Sequence, residues 1–193
     1  MNLGIIGTAG RGEDGEKLKI GHWILMNSVA QSIALSLGVE RLISGGAAWS
    51  DHIAVNLFLN STFDLTLHLP TDFKDGKYKD VSGFKCGDTA NYYHKLFSEK
   101  LKINSLQQID NAISNLADVE ITYGFKQRNT MIAMDSNILL AFTFGNGERL
   151  KEGGTKDTMD KFLNRIGKRE EGPLAILRAF HYDLNSKQLF EIN

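Results

Sequence analysis

The sequence predicts an α/β domain in three layers, helices on both faces of a mostly parallel sheet that ends in a C-terminal strand pair. Three observations carry that prediction. Short apolar runs of strand length alternate with segments whose apolar residues recur at helical spacing. Three of those runs stop at glycine-rich turns, at 7–12, 45–46 and 145–154. Strands that alternate with helices assemble into parallel sheets, whose members are buried on both faces and therefore read as uninterrupted apolar stretches.

Leu3 to Ile6 is such a stretch, halted by Gly7. Ile20, Trp23, Ile24, Ala30, Ile33, Ala34 and Leu37 then mark a long helix closed by Gly38, a residue type suited to a helix C-cap. Arg41 to Ser44 forms a second strand, and Asp51 to Leu59 a second helix with Ser50 as its cap. Leu65 to Leu69 is a third strand ended by Pro70. The polar stretch from Thr71 to Gly87 is a surface excursion, extending with the next segment to about residue 104, that stands over the sheet edge. Thr89 to Leu101 is helical, and Ser105-Leu106-Gln107-Gln108 has the form of a capping box that opens a helix through Leu116. Val119 to Tyr123 is a strand, Lys126 to Met134 a helix, and Ile138 to Phe142 a core strand. After Gly145, Gly147, Gly153 and Gly154, Thr155 caps a helix reaching Ile166, and Leu174 to Phe180 pairs with Gln188 to Ile192.

Composition narrows the function. With 193 residues, 42% hydrophobic and 23% charged, the chain suits one core, since a domain spans roughly 100 to 200 residues. A formal charge of -1 provides no global field for nucleic acid or an anionic membrane. Cys86 is the single cysteine, which excludes an intrachain disulfide framework and a thiolate zinc cluster. A glycine loop begins within seven residues of Met1, without the apolar region of a signal peptide, and no run reaches the ~18 apolar residues of a membrane span. A cytoplasmic protein is expected.

In an open parallel sheet every strand delivers its C-terminal end to one edge, where ligands bind near the reversal of strand order. The glycine turns are therefore expected to converge and to hold a phosphate, because glycine admits close backbone approach and helix starts offer free N–H groups. Gly7, Thr8, Ala9, Gly10 and Arg11 combine backbone, hydroxyl and guanidinium. Gly45 and Gly46 precede Trp49, whose ring suits a base, and Asp51, which suits ribose hydroxyls or the start of a helix. Gly153, Gly154, Thr155, Lys156 and Thr158 form the third turn, where Thr155 equally suits a simple cap. Arg128 and Asn129 lie near the start of the helix before the core strand, and Arg128 can clamp a phosphate or stand in solvent. The five histidines lack metal-ligand spacing and the serines lack a nucleophile elbow, so neither a metal, a cofactor nor covalent catalysis is expected.

Together the GTAGRG turn, ISGGAAWSDHIAV at 43–55, GFKQRNTMIAMDSNILLAF at 124–142 and GGTKDT at 153–158 resemble the SLOG superfamily, which includes LOG phosphoribohydrolases and DprA-like proteins. The resemblance implies a Rossmann-like sheet whose glycine turns hold a nucleotide-type ligand. It also implies roles for Arg128, followed by Met131 as in an R-x-x-M helix, and for Asp160, which stands where the LOG motif carries a glutamate. No proline precedes Gly153, and Lys156 replaces a motif glycine. Three functions follow as expectations. One is hydrolysis of the N-glycosidic bond of a nucleoside phosphate, with Arg128, Asp160 and Asp51 in the catalytic role. The second is a sensor or sequestering protein for an ADP-ribose-like signal. The third, opposed by the charge balance, is DprA-like binding of single-stranded DNA. LOG relatives imply a homodimer or higher homo-oligomer.

Overall fold

The structure is a computed structural model and describes residues 1–81, 83, 85–167 and 177–192. Its first half runs β1 (Asn2–Gly7), α1 (Glu13–Lys17), α2 (Ile20–Ser36), β2 (Arg41–Ser44), α3 (His52–Asn60), β3 (Asp64–Leu69), β4 (Phe73–Lys74) and β5 (Lys77–Tyr78). The second half adds α4 (Cys86–Leu101), α5 (Ser105–Ser114), β6 (Asp118–Ile121), α6 (Phe125–Asp135), β7 (Ile138–Thr143), α7 (Gly154–Gly167), β8 (Arg178–Asp183) and β9 (Gln188–Ile192). Seven strands form one sheet in the order β6-β3-β2-β1-β7-β8-β9, while β4 and β5 make a separate antiparallel pair. Neighbours in the large sheet are parallel except β8 and β9.

Side-chain alternation along the central strands creates the two cores. Leu3, Ile5, Ile138, Leu140 and Phe142 face α2 to α5, joining Met26, Ile53, Phe97 and Ile109 in one cluster. Ile6, Leu139 and Ala141 point the other way, onto Ile132 and Ala133 of α6 and Met159 and Phe162 of α7. The result is the three-layer Rossmann-like architecture that the apolar runs predict. Gly4 permits the tight α6 packing, because a Cβ there would collide with Ser136 at the end of that helix. Arg165 of α7 donates to the carbonyls of Ala133 and Ser136, satisfying acceptors that the C-terminus of α6 leaves free.

Several elements depart from the sequence reading. The five-residue α1 is new, and the excursion after Pro70 contains the β4–β5 hairpin rather than loop alone. Asn104, not Ser105, caps α5: its Oδ1 accepts from the Gln107 N–H, while the Ser105 hydroxyl is buried against His94 and Ser98. Ser50 caps nothing and instead donates to the Thr8 carbonyl at 3.1 Å. Of the terminal pair, β9 matches its expected bounds, β8 begins at Arg178, and positions 174–176 of the expected strand lie outside the described residues. No helix among the described residues is long and apolar enough to cross a membrane.

Candidate functional site

Successive strands leave β1 in opposite directions: β2, β3 and β6 build outward on one side, β7 and β8 on the other. The reversal therefore lies between β1 and β7, and the crevice beyond their C-terminal ends is where an α/β sheet of this kind places a ligand. A cleft of about 300 Å³ occupies that place.

Its first wall is the turn after β1. Thr8 accepts from the Gly10 N–H at 3.1 Å and donates its hydroxyl proton to Asp14 Oδ2 at 2.8 Å. Gly10 adopts φ +75°, and a Cβ there would sit 2.8 Å from the Trp49 indole nitrogen, so only glycine fits. Asp14 also receives the Lys151 ammonium at 2.6 Å, which ties this turn to the loop after β7 across the cleft.

The floor comes from the turn after β2. Ser44 donates to the Asp51 carbonyl at 2.7 Å, folding the segment back so that the Asp51 side chain enters the cleft. Gly45 makes the next contact possible: a Cβ there would lie 2.7 Å from both Arg128 Nε and Asp51 Oδ2. Asp51 and Arg128 thus meet over bare backbone, with Oδ2 and Nη1 3.9 Å apart. Asp51 is 3% exposed and its Oδ2 has no hydrogen-bond partner. Burial pushes its carboxyl above the usual range; the Arg128 charge and the N–H groups of Ala47, Gly45 and Gly7 pull in the other direction.

The remaining wall joins α6 to the start of α7. Arg128 places Nε and Nη2 on Asn129 Oδ1 at 3.3 and 2.9 Å and turns Nη1 to the Gly45 carbonyl at 3.4 Å. The Asn129 amide then donates to the Gly154 carbonyl at 3.2 Å, which also accepts from Thr158 at 2.8 Å. Side chains therefore set the distance between the third turn and Arg128. Two helices aim their N-termini at the opening, and each presents free N–H groups and a positive dipole end. Arg11 stands over the Tyr93 and Phe125 rings at 5.2 Å each, and Arg128 covers Phe125 at 5.5 Å.

Of the residues singled out in the sequence, Gly7, Thr8, Ala9, Arg11, Asp51, Arg128, Asn129, Gly153, Gly154, Thr155 and Thr158 line this cleft. Six do not. Gly10 lies behind the first turn, while Gly45 and Gly46 border a narrower pocket beside Tyr93 and Phe125. Trp49 is buried, its ring 4.9 Å from Phe97, so its bulk serves the core and leaves no face for a base. Lys156 and Asp160 pair with each other at 2.6 Å, one turn apart on α7 and outside the cleft. Asp14, Phe125, Lys151 and Thr143 line the cleft without having been read from sequence. For the Asp14–Lys151 pair no local signal exists, because 137 positions separate its members.

Behind the floor, the Gly46 carbonyl accepts both the Tyr78 hydroxyl at 2.6 Å and His94 Nε2 at 2.9 Å. The β4–β5 hairpin is thereby latched to the second turn. Burial depresses His94 to about 4 and His52 to about 3, so both rings are neutral at pH 7. Burial also pushes the Tyr78 hydroxyl up, keeping it a donor.

Fold and cleft together define an open-sheet α/β protein with a crevice at the reversal of strand order, lined by Arg11, Arg128 and Lys151, by Asp14, Asp51 and Glu152, and by two helix N-termini. No family model matches the chain, and no solved structure matches it. An uncharacterized protein of Acanthamoeba polyphaga mimivirus is 45% identical over 122 residues, or 62% of this chain. The chain spans 64% of that viral protein's length.

Proposed function

We propose that the cleft binds a nucleoside phosphate and hydrolyses its N-glycosidic bond. The observation that carries this reading is Asp51, a carboxyl closed off from bulk water, with one oxygen unbonded, beside a guanidinium in a cleft of about 300 Å³. The phosphate rests against the N-termini of α6 and α7 and the Arg11 guanidinium, where N–H groups and positive charge meet an anion. Arg128, held in position by Asn129, binds ribose or phosphate oxygens. Phe125, in the lining beside the two guanidiniums, gives the base an apolar contact.

In the reaction, Asp51 in its ionised form takes a proton from the water that attacks the ribosyl C1′. The C1′–N bond breaks as the new C1′–O bond forms, and the base leaves with the bonding pair and gains a proton from solvent. Developing positive charge on the ribosyl ring is stabilised by the same carboxylate. Asp160 has no part in this scheme, because it is paired with Lys156 outside the cleft. The resemblance to the SLOG superfamily, with its Arg128 motif, supports the ligand class.

A second reading, retention of an intact ADP-ribose-like nucleotide as a signal, is favoured by that displaced Asp160, which leaves one acid where the LOG motif supplies its own. Incubation with adenosine monophosphate or ADP-ribose, followed by chromatography for free adenine, separates the two. Release by the parent chain and none by Asp51→Asn supports hydrolysis. Tight binding without release supports the sensor, and neither binding nor release overturns both. The reading places the protein in the cytoplasm, a reducing compartment where Cys86 remains a thiol. It also includes self-association through α2, which has no Lys, Arg, Asp or Glu and exposes Ile20, Ile24 and Leu35. Sedimentation of Ile24→Lys against the parent chain tests that part.

A further inference from the structure

On the α6 side of the sheet, beyond the helix itself, β2, β3 and β6 leave a polar depression lined by Arg41, Thr66, Asp118, Glu120 and Asp135. Parallel register places Thr66 beside Asp118 and His68 beside Glu120, so all four side chains share one face. Asp135, the last residue of α6, closes the group from above. His68 is fully buried, with Glu120 Oε2 3.2 Å from Nδ1 and Asp135 Oδ2 2.8 Å from Nε2.

These distances pose a problem of protons. A neutral imidazole has one N–H and one lone pair, so it satisfies a single carboxylate and turns a lone pair toward the other. Neither ring nitrogen forms a hydrogen bond of acceptable direction to its neighbour. A cation shared by the three side chains would meet the lone pairs that these contacts leave facing one another. The nearby Arg41 does not neutralise the pair, since its guanidinium is engaged by Asp118 and Asp64.

We propose that His68, Glu120 and Asp135 bind a divalent first-row transition ion, Zn²⁺ in preference to Mn²⁺ and with Mg²⁺ excluded. One imidazole nitrogen with two carboxylate oxygens is a donor set for such ions, whereas Mg²⁺ prefers oxygen alone. One donor atom from each residue lies within 4.8 Å of the others. Two ligands ~2.1 Å from one ion stand at most ~4.2 Å apart. Because Glu120 lies at Nδ1 and Asp135 at Nε2, one carboxylate must swing to the nitrogen that holds the ion, and both side chains, 54% and 38% exposed, stand at the surface where such a rotation is open to them. The ion clips the edge strand β6 and the end of α6 to β3, independently of the nucleotide cleft.

Isothermal titration of the full chain with Zn²⁺, Mn²⁺ and Mg²⁺ tests this without any nucleotide. One Zn²⁺ per chain is expected, bound more tightly than Mn²⁺, with no Mg²⁺ uptake. Glu120→Gln and Asp135→Asn should each weaken Zn²⁺ at least about tenfold with unchanged circular dichroism. Glu99→Gln, on an exposed part of α4, should leave it unaltered. Nitrogen NMR of His68 should show one protonated ring nitrogen in the presence of Zn²⁺. Absence of saturable 1:1 binding, parent-level Zn²⁺ affinity in both carboxylate variants, or an imidazolium with both nitrogens protonated overturns the proposal.

Discussion

Asp51 sets stability against function within a single side chain. Desolvation raises its pKa more than Arg128 and three backbone N–H groups lower it. The folded state therefore holds this proton more tightly than the unfolded chain does. The linked stability is present below the ordinary carboxylate pKa and is lost as pH rises through the shifted one. Above that shifted value an amide avoids the loss, so Asp51→Asn is expected to melt higher there than the parent chain, while free-base release disappears. A lower melting temperature would mean that the Arg128 contact outweighs desolvation. The same shift predicts that glycosidic hydrolysis falls on acidification with a midpoint above that of a solvent-exposed aspartate, measured as the acidic limb of kcat/KM. Arg128→Lys is expected to weaken binding of adenosine monophosphate about 100-fold. One ammonium does not reproduce the fork that Asn129 Oδ1 and the Gly45 carbonyl orient.

What was legible in the sequence depends on how far each element relies on its own residues. β7 was plain because Ile138 to Phe142 is buried on both faces and therefore uniformly apolar. The hairpin was hidden because two-residue strands carry no period, and α1 because Glu13 to Lys17 has no apolar spacing at all. Trp49 misled for a different reason: its partner, Phe97, belongs to another helix and no local pattern joins them. Asp160 was recoverable, since Lys156 lies four positions earlier and helical geometry brings such residues together. Elements also explain an expected acid sensitivity. α3 and α4 bury His52 and His94 with ring centroids 5.6 Å apart, depressed to about 3 and about 4. Unfolded histidine takes up a proton near pH 6.5 and these two do not, so stability is undiminished above that value and lost below it. Urea unfolding should show a fall of about 1.4 kcal/mol per pH unit for each ring between pH ~6 and ~4. His52→Gln should remove one ring's share, about 1.4 kcal/mol per pH unit, from the slope, and equal stability at pH 7 and pH 5 would refute the assignment.

Across the whole molecule, the cleft is assembled from parts that are remote in the chain. Lys151 is bonded to Asp14, Arg128 reaches Gly45, and Ser50 holds Thr8, so the three turns meet only when the sheet has its full order. A ligand that bridges them binds the folded state alone and must raise global stability by mass action. At a concentration 100 times its dissociation constant, adenosine monophosphate is expected to add ~2.7 kcal/mol. For a chain of 193 residues that corresponds to a rise of roughly 5–10 °C in melting temperature. Adenosine without phosphate should give a much smaller rise at equal concentration, because it offers no anion to the N-termini of α6 and α7. Arg128→Ala should remove most of the nucleotide effect without abolishing the cooperative transition. Equal shifts with nucleotide and nucleoside would instead locate recognition at the Phe125 face and deny the glycine turns any part in binding phosphate.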